Sequence, residues 1–237
     1  MVASRAKAIV KRILTRHLTS RLEFEASVAV TPVSEVFGLD RGTPLDRVFI
    51  THFLEAHRDL IRGDCLEVEE PAYTRKFGQP GHVAHALKFS ASPDGAGNRE
   101  VVADLSKPET VPQDGFDAFI CTQTLNFIFD LDPVVESIHK LLKPGGHALI
   151  TVAGISQISR FDYDRWGDYW RFTDLTLRKL LTRRFAEADC RLATFGNVAS
   201  SCLFLQGVSL EDIPDRKILD ATDPNYQMVV CAVVRKQ

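Results

Sequence analysis

The run FDAFICTQTL over residues 116–125, taken with PVVESIHKLLKPGGHALITVA over residues 133–153, decides the fold. Ala118 to Cys121 is a short apolar stretch of the kind that forms a strand buried on both faces. From about Pro133, with Asp132 as its cap, Val134, Val135, Ile138, Leu141 and Leu142 recur at helical spacing, so a helix buries that side. Lys143-Pro144-Gly145-Gly146 cannot continue a helix and turns the chain into a second apolar stretch, Ala148 to Val152. Strand, helix and strand in that order form a crossover unit, whose two strands run parallel.

The same texture extends outward from this unit. Upstream, Cys65–Val68, Val83–Phe89 and Glu100–Ala103 read as strands, and SASPDGAGN over 90–98 as a loop. Downstream, Thr173 caps a helix from about Asp174 to Phe185, and Tyr226 to Arg235 is Val-rich enough for another buried strand. Alternating strands and helices predict an α/β fold, a Rossmann-like three-layer sandwich with helices on both faces of a mostly parallel sheet. Before the first strand, a helix starts with Thr43 as cap and Pro44 in its first turn, buries Leu45, Val48, Phe49, Phe53, Ala56 and Leu60, and stops at Gly63. Further upstream, Ala6, Ile9, Val10, Ile13, Leu14 and Leu18 oppose Arg5, Lys11, Arg12 and Arg16, the pattern of a basic amphipathic helix. The predicted organisation is a basic helix and linker over 1–42, then one α/β domain over 43–237.

Composition narrows the function classes. With 237 residues, 45% hydrophobic and 25% charged, the chain is long enough for one domain with a substantial core. Its formal charge is −2, but six basic residues precede the first acid, Glu23; without them 23 basic face 31 acidic residues, a balance of −8. An acidic body argues against nucleic acid as a partner, because phosphate contacts need clustered Lys and Arg. The five cysteines lack ligand or disulfide spacing, and His52, His57 and His139 have no partner at metal-binding distance in sequence, so neither a metal nor a disulfide framework is expected. Unpaired cysteines, no apolar run of membrane-spanning length and a charged leader predict a cytoplasmic protein.

In an open parallel sheet, ligands bind beyond the carboxyl ends of the strands. At those positions the sequence resembles the class I S-adenosylmethionine-dependent methyltransferases of the type 11 kind, through the Phe116-Asp117 strand and the Leu142-Lys143-Pro144-Gly145-Gly146 turn. Leu66-Glu67-Val68, the stretch Tyr73 to Gly78, Thr122-Gln123-Thr124 and Trp166 to Thr173 are similar to a subgroup associated with glycan or cell-surface polysaccharide assembly. The resemblance runs from about Gly63 to the last residue and implies a seven-stranded sheet with S-adenosylmethionine as cofactor. It implies that Glu67 orients loop amides or accepts from the cofactor, that Asp104 accepts from the adenine amino group beside the Leu105 amide, and that Thr122 and Gln123 lie along the methionine part. Two departures stand out: Glu67-Val68-Glu69-Glu70-Pro71 has no glycine where the family has a glycine-rich turn, and Ala86-Leu87-Lys88-Phe89 offers no acid for the ribose hydroxyls.

The stretch 154–173 has the chain's most unusual composition. Aromatic rings stack on sugar faces, and Arg forks onto carboxylates or phosphates, so Arg160, Tyr163, Trp166, Tyr169, Trp170 and Arg171 are the candidate acceptor-binding residues. Asp164 and Asp168, which flank Trp166, are the candidates for removing a proton from an acceptor hydroxyl. The competing reading has Trp166 and Trp170 plugging the sheet edge while the charges make surface pairs. Two functions follow: methyl transfer to a hydroxyl of a sugar or glycan-type acceptor, or a catalytically inactive methyltransferase-like scaffold in a glycan-assembly complex. A nucleotide-dependent oxidoreductase ranks third, since no GxGxxG follows the first strand. The basic helix either rests on the inner face of an anionic membrane as a peripheral contact or packs as a lid or dimer arm.

Overall fold

In the computed structural model, which describes residues 30–90 and 100–237, the crossover unit predicted around residue 120 forms the middle of a seven-stranded sheet. The predicted basic helix and most of the 90–98 loop lie outside the described residues. The strands are β1 (Gly63–Val68), β2 (Val83–Ser90), β3 (Glu100–Val102), β4 (Phe116–Thr122), β5 (Leu142–Ala153), β6 (Cys190–Phe195) and β7 (Val229–Arg235), arranged β3-β2-β1-β4-β5-β7-β6. The first five are parallel, whereas β7 runs antiparallel to both β5 and β6. The helices are α1 (Leu45–Ala56), α2 (Ala72–Phe77), α3 (Leu131–Leu141), α4 (Arg160–Tyr163), α5 (Asp174–Leu181) and α6 (Val198–Leu205).

Period-2 alternation sorts the sheet into two cores. Phe119 and Cys121 of β4, Ala148, Ile150 and Val152 of β5 and Val230, Ala232 and Val234 of β7 pack with α3 and α5. Their neighbours Ala118, Ile120, Leu149, Cys231 and Val233 pack with α1 and α6 on the opposite face. This is the three-layer arrangement that the alternation predicted, with buried Val-rich central strands.

Several local expectations are corrected. Six residues with one charge and no long apolar run gave no strand signal, yet Cys190–Phe195 forms β6, whose pairing comes entirely from β7. Helix α3 starts at Leu131, so Asp130 rather than Asp132 precedes it, and the Asp130 side chain makes no capping bond. Pro44, not Thr43, is the residue before α1; the Thr43 hydroxyl instead donates to Glu211 at 2.8 Å. Helix α1 ends at Ala56, which is exposed, and a 3-10 turn over Arg58–Leu60 carries the chain toward Gly63. Strand β5 already pairs at Leu142, and the glycine turn is a bulge inside it: the register passes from Phe116↔Leu142 to Ala118↔His147, with Gly145 at φ 81.

The compact unit begins at Val33. Val33 N donates to Gln206 O at 2.8 Å, and the Arg41 guanidinium forks onto Asp212 at 2.8 and 2.9 Å. Residues 33–43 thus form a strap against the segment after α6.

Candidate active site

Beyond the carboxyl ends of β4 and β5 lies a cavity of about 200 Å³. Thr122 and Gln123 form one wall, and Ala153, Ser156 and Gln157 a second. Gln123 takes a left-handed backbone (φ 51) that costs a non-glycine residue about 1 kcal/mol, held by its amide donating to Thr151 O at 2.8 Å. Asn126, buried, joins three segments: its side chain reaches Gln123 Oε1 at 3.4 Å, accepts from Ala153 N at 3.2 Å, and its carbonyl receives Tyr169 N at 2.9 Å.

The loop after β5 supplies the third wall through Ser159, Asp162, Asp168 and Arg171. Arg171 forks onto Asp168 at 2.6 and 2.9 Å and donates to the carbonyls of Ser156, Gln157 and Trp170. Asp168 also accepts from Ser159 N at 3.0 Å. Burial alone would raise the Asp168 carboxyl, but Arg171 and the Ser159 amide hold it below the usual carboxylate range. A carboxylate held in this way orients the loop and is a poor proton acceptor.

The strap and the start of α1 close the cavity with Phe37, Leu39, Pro44, Asp46 and Arg47, and Gln157 Nε2 reaches Glu35 O at 2.8 Å. The Asp46 carboxylate accepts from Arg47 N at 2.8 Å and from its own backbone amide. Burial pushes its carboxyl above the usual range, with Arg47 pulling the other way. The Arg47 guanidinium faces Asp46, the Tyr73 hydroxyl and Asp162, and forms no salt bridge among the described residues. A half-buried guanidinium bonded to the Tyr73 hydroxyl beside a half-buried carboxylate is an unusual combination.

Of the residues singled out from sequence, Thr122, Gln123, Asp168 and Arg171 meet at this cavity. Asp164 is exposed and outside its lining, as are Arg160, stacked over Tyr163 at 4.9 Å, and Trp166. Trp170 donates from Nε1 to Ile128 O at 3.1 Å, packs on the core, and stacks on Phe129; Phe129 also meets Tyr169 edge-on at 5.4 Å. Tyr163, Trp166 and Tyr169 remain about half exposed, so the loop around the cavity is aromatic. Asp46, Arg47 and Asn126 carried no sequence signal, because a first-turn acid on a helix is ordinary and only the tertiary approach of α1 to the sheet edge gives these residues their place.

Glu67, Asp104 and Leu105 lie beyond the cavity lining, toward β1 and β3. Buried Glu67 accepts from Tyr73 N at 3.0 Å, Thr74 N at 2.7 Å and Thr74 Oγ1 at 2.8 Å, and so anchors the start of α2. Asp104 accepts from Ser106 and pairs with Lys107 at 3.2 Å, and Leu105 is buried. At the glycine-free turn, Glu69 adopts φ 62 with an exposed side chain, so the tight turn survives without glycine. The side chains of 86–88 lie outside the described residues.

A family model described as a methyltransferase domain matches residues 52–198. The chain belongs to the methyltransferase-domain family. The methyltransferase has the same fold as a SAM-dependent methyltransferase from Archaeoglobus fulgidus, with 11% identity, coverage of 80% of this chain and 94% of that one, and a TM-score of 0.51. A possible exported protein from Bordetella parapertussis matches at 13% identity over 84% and 71%, TM-score 0.52, and the [4+2]-cyclase SpnF at 17% over 88% of each chain, TM-score 0.50. No curated protein matches.

The methyltransferase's cofactor is S-adenosylmethionine. The donor set suits it. The guanidinium of Arg47 and the carboxylate of Asp162, both in the lining, are of the kinds that would hold the donor's carboxylate and positive charges, and Asp104, beyond the lining, retains lone pairs for an amino group. Among the described residues no group of three or more His, Cys, Asp or Glu could hold a metal, and no helix is long and apolar enough to cross a membrane.

Proposed function

We propose that the methyltransferase acts on a hydroxyl of a sugar or glycan-type acceptor, with Asp46 taking the proton. The observation that supports this reading is the Asp46 carboxylate in a cavity one wall of which, Ser159, Asp162, Asp168 and Arg171, belongs to the loop that exposes Tyr163, Trp166 and Tyr169 outside the lining. Aromatic faces suit sugar rings, and a carboxylate that accepts from neighbouring backbone amides still has lone pairs for a hydroxyl proton.

S-adenosylmethionine supplies a methyl group already activated on a sulfonium. Arg47 and Asp162 orient the donor's charged end, with Thr122 and Gln123 along it. Asp168 and Arg171 keep the acceptor loop in place, and Phe37 and Leu39 of the strap exclude water. Asp46 then receives the hydroxyl proton, the role first assigned to Asp164 or Asp168. Asp168 is engaged by Arg171, and Asp164 is outside the cavity.

The basic leader extends the proposal: on a glycan carried by a lipid, it places the cytoplasmic enzyme on the inner face of the membrane. Co-sedimentation with anionic vesicles should fall when residues 1–22 are deleted; equal pelleting removes the membrane contact.

The central test is calorimetry with S-adenosylmethionine, followed by methyl transfer to oligosaccharides carrying free hydroxyls. Binding is expected, and it should persist in Asp46→Asn while transfer drops about 100-fold or more. No binding heat at millimolar donor overturns the enzymatic reading and leaves the scaffold.

A further inference from the structure

At the opposite, amino-terminal edge of the sheet lies a second cavity, of about 390 Å³. Its position follows from the same alternation that builds the core. On the face covered by α1, the outermost residues of β5, β7 and β6 are His147, Arg235 and Arg191: His147 is paired directly with Arg235, and Arg191 with Val233 two residues along. Helix α1 ends at Ala56, before it reaches this row, and the 3-10 turn after it contributes Leu60, followed by Arg62. Arg191 thus continues the row of Leu149 and Val233 onto the edge strand, and His147 and Arg235 form the next row outward.

Arg62, Arg191 and Arg235, all three exposed, line this cavity, with Asp189 as the lone acid in its lining. Asp189 accepts from Gln237 Nε2 at 2.6 Å, and its single charge faces three guanidiniums in the lining. Three other arginines meet carboxylates, Arg178 with Glu187, Arg183 with Asp132 and Arg184 with Glu136. Arg62, Arg191 and Arg235 form no salt bridge among the described residues, in a body with an excess of acid. Their influence reaches a common point: burial, then Arg235 and Arg62, hold the His147 imidazole below its usual range, with Arg191 adding to this and Asp59 opposing. Like charges gathered in a recess repel, and an anion with several oxygens relieves that repulsion while using the planar forks of the guanidiniums.

We propose that this cavity is a second ligand site, which takes a pyrophosphoryl-bearing anion between Arg62, Arg191 and Arg235. It lies at the end of the sheet away from Thr122 and Gln123 and is independent of the acceptor proposed above. The pyrophosphoryl group is shared by the free anion and by nucleoside diphosphates.

Calorimetric titration of the full chain with inorganic pyrophosphate, and in parallel with a nucleoside diphosphate, at about 150 mM salt tests it. Saturable binding is expected, weakened about tenfold or more in Arg191→Ala and in Arg235→Ala, and unchanged in Arg183→Ala, whose guanidinium is already paired. Equal affinity for the two ligands assigns the site to the pyrophosphoryl group alone, and tighter nucleotide binding assigns it to a nucleotide; both sustain the proposal. Absence of saturable heat, or equal affinity in the Arg191→Ala/Arg235→Ala double variant shown to be folded by circular dichroism, overturns it. Should that double variant fail to fold, Arg62→Gln, which lies outside any strand, decides by the same criterion.

Discussion

Asp46 and Asp168 line one cavity and have opposite surroundings. Burial raises Asp46, so it is ionised and able to accept a proton only above a pH higher than an ordinary carboxylate requires. Transfer in the wild type should therefore lose rate as pH falls through that raised value, and the residual activity of Asp46→Asn should lack this acid limb; pH-rate profiles of both forms check it. Asp168 is lowered, so its contribution to stability is complete above the unfolded value near ~3.9 and disappears as pH falls through the folded one. Asp168→Asn should cost about 3 kcal/mol at pH 7, because Arg171 is left without its carboxylate, and the gap from wild type should narrow in denaturant titrations below pH ~3.9. Glu67 makes a similar case within the fold: Glu67→Ala strands Tyr73 N and Thr74 N and should lower stability by about 2–4 kcal/mol in urea melts. The resemblance placed Glu67, Thr122 and Gln123 at strand ends because those ends follow directly from the apolar runs. It did not reach Asp46 and Arg47, which approach the site from a helix more than 70 residues away in sequence.

At the scale of elements, β4, α3 and β5 were legible because long apolar runs, helical spacing and a Pro-Gly-Gly break agree with one another. Strand β6 was not: Arg191 and Thr194 interrupt it, and a short, partly polar strand at a sheet edge is what protects such an edge from pairing with other chains. The junction between β5 and the loop that follows it depends on Gly154, where an added Cβ would collide with Gln227 O. Gly154→Ala must push β5 and the start of β7 apart, with Ser156 and Gln157 moving out of the cavity wall. A loss of about 2 kcal/mol or more in stability and a parallel drop in donor affinity are expected, measured by thermal melts and calorimetry. On the other side, Asn197 and Ser200 form a reciprocal cap at the start of α6, and Asn197 Nδ2 also holds the carbonyls of Ile218 and Ala221 at 2.8 Å. Asn197→Ala should cost about 2 kcal/mol.

On the scale of the whole molecule, the sheet has a carboxyl edge with a cavity lined by Asp46, Arg47, Thr122 and Gln123 and an amino edge with a cavity lined by Arg62, Arg191 and Arg235. The overall charge of −2 indicates neither, since it averages an acidic body with a basic leader and hides the local cluster of Arg62, Arg191 and Arg235. Composition excluded function classes, but the placement of charge became readable only once the strand register was known.

Strand β7, the last strand in sequence, is not at the rim; it is inserted between β5 and β6. During synthesis, β5 therefore emerges with one side unsatisfied and stays so while some 75 further residues appear, as read from the numbering of the two strands. Until β7 arrives, a long apolar ribbon is open to pairing with a neighbouring nascent chain, and β6 has no partner at all. Completion of the β5 and β6 side of the sheet thus waits on a strand that follows both in sequence.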